Sequence, residues 1–224
     1  MRAFNAISLA SISFLWDATY AFPAAALTVV KLDSDCSTYP NFNNATSIAG
    51  PWTVLSEGTG NTNLDRVEVS AETFTEDGIN RFGFITIPRQ RISSTPNITL
   101  RCLSSTLQYT RLPISPSSKW TDLFIAGEEN WQKSLAFGST HFNPVIPIEP
   151  YAHYIDGVKQ PGIYLGAGSV TAWDYKVNWG GNAGAYYLLR LKDGGAKKKG
   201  KRQIVPPQLD TNDFVGFLKI KESG

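Results

Sequence analysis

The feature that most constrains this fold is a two-residue hydrophobic period carried along most of the chain. Within residues 64–74, Val67, Val69 and Ala71 alternate with Arg66, Glu68, Ser70 and Glu72. Successive side chains of a strand point to opposite faces, so this segment reads as a half-buried strand with one apolar face. Residues 81–87 read as a second strand, following a turn at Glu76-Asp77-Gly78. Ile98, Leu100 and Cys102 alternate with Thr99 and Arg101, which places the cysteine on the inward face. Further runs cover residues 107–112, 123–126, 134–137, 162–165, 170–179, 185–192 and 213–220. Between them lie turn-forming clusters at 113–118, Asn143-Pro144, Asp156-Gly157, 179–184 and 193–195. Short strands punctuated by Gly and Pro predict an all-β fold, an antiparallel β-sandwich (jelly-roll-like) or a barrel of about ten strands. Little helix is expected, with one turn over residues 128–131 as the candidate.

The start of the chain has a different character. Met1-Arg2 is a short positive segment, Ala3 to Trp16 is mostly apolar and uncharged, and Thr19-Tyr20-Ala21 offers the small residues that a signal peptidase reads. Residues 1–21 are therefore expected to be a signal peptide, with Ala24-Ala25-Ala26 as a second cleavage option. The apolar run is shorter than the roughly 20 residues a bilayer-spanning helix needs, and no stable membrane insertion is expected. Residues 22–224 then form a single β-sandwich domain, in which 22–50 are an irregular N-terminal strap and the sheets begin near Trp52. Asn44-Ala45-Thr46 and Asn97-Ile98-Thr99 are N-glycosylation sequons. Cys36 and Cys102 are the only cysteines, and the oxidising lumen of a secretory route favours a disulfide between them over two free thiols. The expected location is the secretory pathway, with the protein secreted or lumenal. A basic stretch at 194–203 reads as a solvated loop tip; Lys201-Arg202 within it has the form of a dibasic processing site.

Several function classes are disfavoured. A net charge of +2 argues against nucleic acid as a partner. The nucleophile elbow Gly-x-Ser-x-Gly is absent, and Gly166-Ala167-Gly168-Ser169 only approaches it. Gly58-Thr59-Gly60 lacks the further glycine and the helix of a phosphate loop. His141 and His153 are the only histidines, and their separation is not that of a metal site, although Glu149 or Asp156 would supply a carboxylate. Glu128, Glu129, Glu149, Asp156 and Asp174 are available for glycoside hydrolysis, but any chain with 19 acidic residues offers some such pair. No cofactor and no metal are expected.

The positive signal is aromatic: six Trp and nine Tyr, with Trp173, Tyr175, Val177 and Trp179 on one face of a strand. Tyr151, His153 and Tyr164 stand ahead of it, Tyr186, Tyr187 and Arg190 follow, and Trp120 and Trp131 lie upstream. Three readings of these rings stay open. Large rings commonly fill the space between two sheets. They also line pockets for apolar small molecules: here Trp173, Trp179, Tyr164, Tyr151 and Trp131 would bind, and Arg190, Tyr175, Tyr186 and His153 would orient and catalyse. Or they form a platform that stacks on sugars, as in a carbohydrate-binding or cell-wall-associated module. The pocket reading permits a cofactor-free cyclase or pericyclase, which needs a folded substrate and hydrogen-bond donors rather than a nucleophile.

The layout of leader, two sequons, one cysteine pair and aromatic-rich β domain resembles small fungal secretory-pathway glycoproteins. Among these are the hetero-Diels–Alderases of tropolonic sesquiterpenoid biosynthesis. That resemblance lies in the general plan of the chain and implies cyclo-addition chemistry in secondary metabolism. It transfers no catalytic residue.

Overall fold

A computed structural model describes residues 26–76, 80–89, 98–127, 133–138, 144–180, 184–192 and 213–221. They contain strands β1 (Leu27–Lys31), β2 (Ile48–Glu57), β3 (Ser70–Glu76), β4 (Asn80–Pro88), β5 (Ile98–Leu103), β6 (Thr106–Arg111), β7 (Thr121–Ala126) and β8 (Leu135–Gly138). Next come β9 (Val145–Ile146), β10 (Glu149–Ile155), β11 (Val158–Lys159), β12 (Tyr164–Gly166), β13 (Ala172–Gly180), β14 (Gly184–Leu191) and β15 (Phe214–Lys221). The helical content among the described residues is one 3-10 turn at Cys36–Thr38, and no helix there is long and apolar enough to cross a membrane. The chain is all-β, as the alternation predicts.

Neighbours in sequence pair first: β3 with β4, β5 with β6, β7 with β8, and β13 with β14, all antiparallel. Longer-range pairings then join these hairpins. β2 pairs with β5 through its first half and with β15 through its second, so the path β2–β5–β6–β7–β8–β4–β14–β13–β15 returns to its starting strand. The segment leading into β3 also lies on β2, with Ser56 N donating to Val67 O (3.0 Å) and Val69 N to Val54 O (3.0 Å). Outside this circuit, β12 continues from β15 to β10 and then β1.

The main core is built from inward positions of alternating strands, including Trp52 and Val54, Ile85 and Ile87, Leu100 and Cys102, Leu123 and Ile125, Trp173 and Tyr175, and Leu218 and Ile220. A smaller cluster on the opposite face gathers Phe84, Ala136, Tyr186 and Leu188, with Phe74, Phe82 and Phe124 packed on it. That second cluster revises the reading of β3 as half-buried. Ser70 and Glu72 on its outer side are buried as well, because outward-facing rings from its own strand and from β4 cover them.

Two boundaries of the N-terminal strap also change. The sheet begins before Trp52, at Ile48, and residues 22–50 are not wholly irregular: Leu27–Lys31 form β1, registered against residues 151–155 of β10. The Leu-Thr-Val-Val run has β-branched residues suited to a strand, but it sits between Ala24-Ala25-Ala26, which reads as a cleavage option, and the polar residues 33–35. The rest of the strap is held at several points. Cys36 and Cys102 are disulfide-bonded across a separation of 66 residues, Tyr39 packs on Trp52 at 5.5 Å, and the Trp52 indole donates to Pro40 O at 3.2 Å. This bridge fits an oxidising compartment. The leader at 1–21, the turn at 128–131, the sequon residue Asn97 and the basic stretch at 194–203 lie outside the described residues. Asn44 is exposed in a turn.

Candidate functional site

The aromatic stripe of β13 runs from core to surface. Trp173 and Tyr175 are fully buried, Val177 is half-buried and Trp179 is 70% exposed. The polar atoms of the two buried rings are satisfied by backbone: the Trp173 indole donates to Leu165 O (2.9 Å) and the Tyr175 hydroxyl to Phe217 O (2.8 Å). A fully buried phenol already donating to a carbonyl has no donor left for a substrate. Tyr151 is also fully buried; its hydroxyl donates to Glu149 Oε2 and accepts from Ser169 N (2.9 Å). No row of exposed rings forms along β13, because its first two rings belong to the core.

Arg190, Tyr175, Tyr186 and His153 do not converge. Tyr175 faces the main core, whereas Tyr186 belongs to the outer cluster and Arg190 shares its side of β14, opposite Asp174 of β13. Strand alternation puts these two sides on opposite faces of the sheet. His153 sits on β10, where its ring stacks on Tyr164 with centroids 3.6 Å apart and Phe217 meets it edge-on at 4.8 Å. Its Nε2 is 2.8 Å from Thr171 Oγ1. Burial pushes the imidazole down to about 4, with Glu57 pulling it up and Lys219 pushing it further down. Burial, then the Glu57 carboxylate beside it, holds the Tyr164 phenol well above its ordinary range. Lys219 pairs with Glu57 at 3.1 Å and lies 5.6 Å over the Tyr164 ring, at the edge of a small groove of about 340 Å³. Trp131 and His141 lie outside the described residues.

Among the candidate carboxylates, Glu128 and Glu129 lie outside the described residues, and Glu149 and Asp156 are engaged in the fold. Glu149 pairs with Lys31 and accepts from Tyr151 and Gly168 N, and Asp156 accepts from Ala26 N. Among the described residues no three His, Cys, Asp or Glu side chains are grouped as a metal ion would need.

A larger cavity lies elsewhere, in a region the alternation placed on strands without bringing them together. It has a volume of about 970 Å³ and lies where β3, β6 and β8 end and β4 and β7 begin. On β3, β4, β6 and β7 the inward positions are apolar in the core and change character toward this end. Ala71 is followed by Thr73 and Thr75, and Leu107 and Tyr109 by Arg111. Ile85 is preceded by Gly83 and Arg81, and Leu123 by Thr121. Phe137 and Tyr109 form an aromatic floor, with ring centroids 4.3 Å apart. Ser118 and Lys119 approach from the loop before β7.

Gly83 makes the floor possible. A Cβ on it would lie 2.3 Å from Phe137 Cζ and 2.1 Å from Glu72 O, so only glycine leaves room for the ring there. Arg111 Nη2 donates to Thr73 Oγ1 at 2.8 Å, which orients the guanidinium along the cleft wall. Burial pushes the Tyr109 phenol up to about 12, against a downward pull from the Arg111 charge, so it stays protonated and able to donate. Chemically the cleft combines an aromatic surface with hydroxyl, guanidinium and ammonium donors. No family model matches the chain, and no curated protein matches it.

Proposed function

We propose that this chain is a secretory-route glycoprotein that holds a largely apolar organic molecule in the cleft between β3–β4 and β6–β8 and folds it for a cofactor-free cyclisation. The observation that carries this reading is the change of the inward face from apolar to hydrogen-bonding around a cavity of about 970 Å³. That volume is at the upper end of the roughly 300–1,000 Å³ common for small-molecule sites. The Tyr109–Phe137 floor offers contact area for an apolar body, and Tyr109, Arg81, Arg111 and Lys119 offer donors for a carbonyl.

Such donors suit the chemistry. A hetero-Diels–Alder closure forms two σ bonds at the expense of two π bonds and moves neither a proton nor a leaving group. It needs a bound, folded conformer and stabilisation of charge growing on a heteroatom, not an acid–base pair. The Cys36–Cys102 disulfide and the exposed Asn44 turn support the secretory part of the reading. A glycan-binding reading keeps one supporting observation, the exposed ring of Trp179.

Thermal-shift screening of apolar metabolites and of oligosaccharides tests both, since a ligand raises the unfolding midpoint by mass action. Metabolites are expected to stabilise the wild type and not Thr121→Trp, which fills the cleft. Stabilisation of both proteins alike would remove the cleft from the account. An oligosaccharide response lost in Trp179→Ala would favour the glycan reading.

A further inference from the structure

We infer that the ligand of this cleft is an organic anion, an apolar body bearing a carboxylate, sulfate or phosphate group read by Arg81, Arg111 and Lys119. The inference rests on the cleft being the ligand site and adds the charge of what enters it.

Three cations and no carboxylate stand among the described residues lining the cleft. Arg81 and Arg111 are exposed, but they occupy the inward register positions of β4 and β6 and line the cavity. Gathering like charges in one concavity does nothing for folding, because each raises the electrostatic energy of the others. The same arrangement focuses the field inward and raises the local concentration of an anion. Glu72, whose carboxyl feels the Arg111 charge, lies on the opposite side of β3 from Thr73. Burial raises its carboxyl above the usual range, with the Arg111 charge drawing it back.

The remaining lining groups fit the same ligand. Thr73, Thr75, Ser118 and Thr121 supply hydroxyls able to donate to anionic oxygens. Arg111, already oriented by Thr73, presents a planar fork suited to a carboxylate or phosphate. The aromatic floor lies alongside these groups, which calls for a molecule with both an anionic head and an apolar body.

Titration with 8-anilinonaphthalene-1-sulfonate and with its uncharged analogue N-phenyl-1-naphthylamine tests the inference. The sulfonate is expected to bind with an affinity that falls with added salt and drops roughly tenfold in Arg81→Gln/Arg111→Gln. Lys119→Glu should weaken it as well, and the uncharged analogue should be indifferent to all three substitutions. Competition by laurate and by dodecyl phosphate then separates a carboxylate site from a phosphate site. If both dyes bind equally well and the substitutions move neither, the charge inference is overturned and the cleft reading stands. If sulfonate binding is unaffected by Thr121→Trp, or neither dye binds, both are overturned.

Discussion

The imidazole of His153 lies flat on the ring of Tyr164, with centroids 3.6 Å apart and planes within 4°. Burial holds its folded-state pKa at about 4, below the ordinary imidazole value of 6.5. The folded protein therefore keeps a neutral ring where the unfolded chain takes up a proton. Between pH 6.5 and about 4 the unfolded state binds more protons, so stability falls as pH falls and the loss levels off below the folded pKa. The full effect is on the order of 3 kcal/mol. Urea unfolding of the wild type and of His153→Phe at pH 7.0 and 4.5 measures it. The wild type should lose distinctly more stability over that interval; equal losses would mean that the imidazole is not held neutral.

Cys36–Cys102 fastens the N-terminal strap to β5 over a separation of 66 residues. Closing a loop of this size removes denatured-state entropy worth about 4 kcal/mol. Cys36→Ala/Cys102→Ala should lower the unfolding free energy by that order, and reductant should shift the wild type but leave the double variant unmoved. A wild-type midpoint insensitive to complete reduction would contradict this account of the strap.

The Phe137 ring fills the space that a side chain on residue 83 would need. Gly83→Ala should therefore destabilise by about 1–3 kcal/mol through overpacking. Combining it with Phe137→Leu should recover only part of the loss, since Glu72 O still faces the new methyl at 2.1 Å. Urea midpoints of the two variants provide the comparison, and an unchanged midpoint for Gly83→Ala would show that the floor is looser than drawn.

Much of this architecture was legible in the sequence, and the reason is local. Alternation in residues 98–102 puts Cys102 inward, where it bonds Cys36, and the runs at 107–112, 170–179 and 185–192 fall on β6, β13 and β14. What alternation cannot supply is which strands from distant parts of the chain share an end. Thr73 and Arg111 are 38 residues apart and meet only because β3–β4 closes against β6–β8. The aromatic stripe misleads for a related reason. Periodicity assigns Trp173 and Trp179 to one face, but whether that face is covered depends on where the sheet closes, and it closes over the first ring and not the last. Threonine and arginine at strand ends look like ordinary solvent-facing residues until the closure places them around one cavity.

The secretory reading has its own check. Expression in a eukaryotic secretory host should deliver protein to the medium that begins at Phe22 and carries glycan on Asn44, which is exposed. Intact-mass and peptide mass spectrometry before and after enzymatic deglycosylation reads both. Retention of residues 1–21 on a non-glycosylated cytosolic product would contradict it.

The proposed ligand site is the cleft floored by Phe137 and Tyr109, not the aromatic face of β13. Backbone NMR of isotopically labelled protein titrated with 8-anilinonaphthalene-1-sulfonate addresses it most directly. The amide signals of Thr73, Gly83, Tyr109, Arg111, Thr121 and Gly138 are expected to move together with one saturation curve. Shifts that leave those amides in place and gather instead on residues 173–179 would contradict the account.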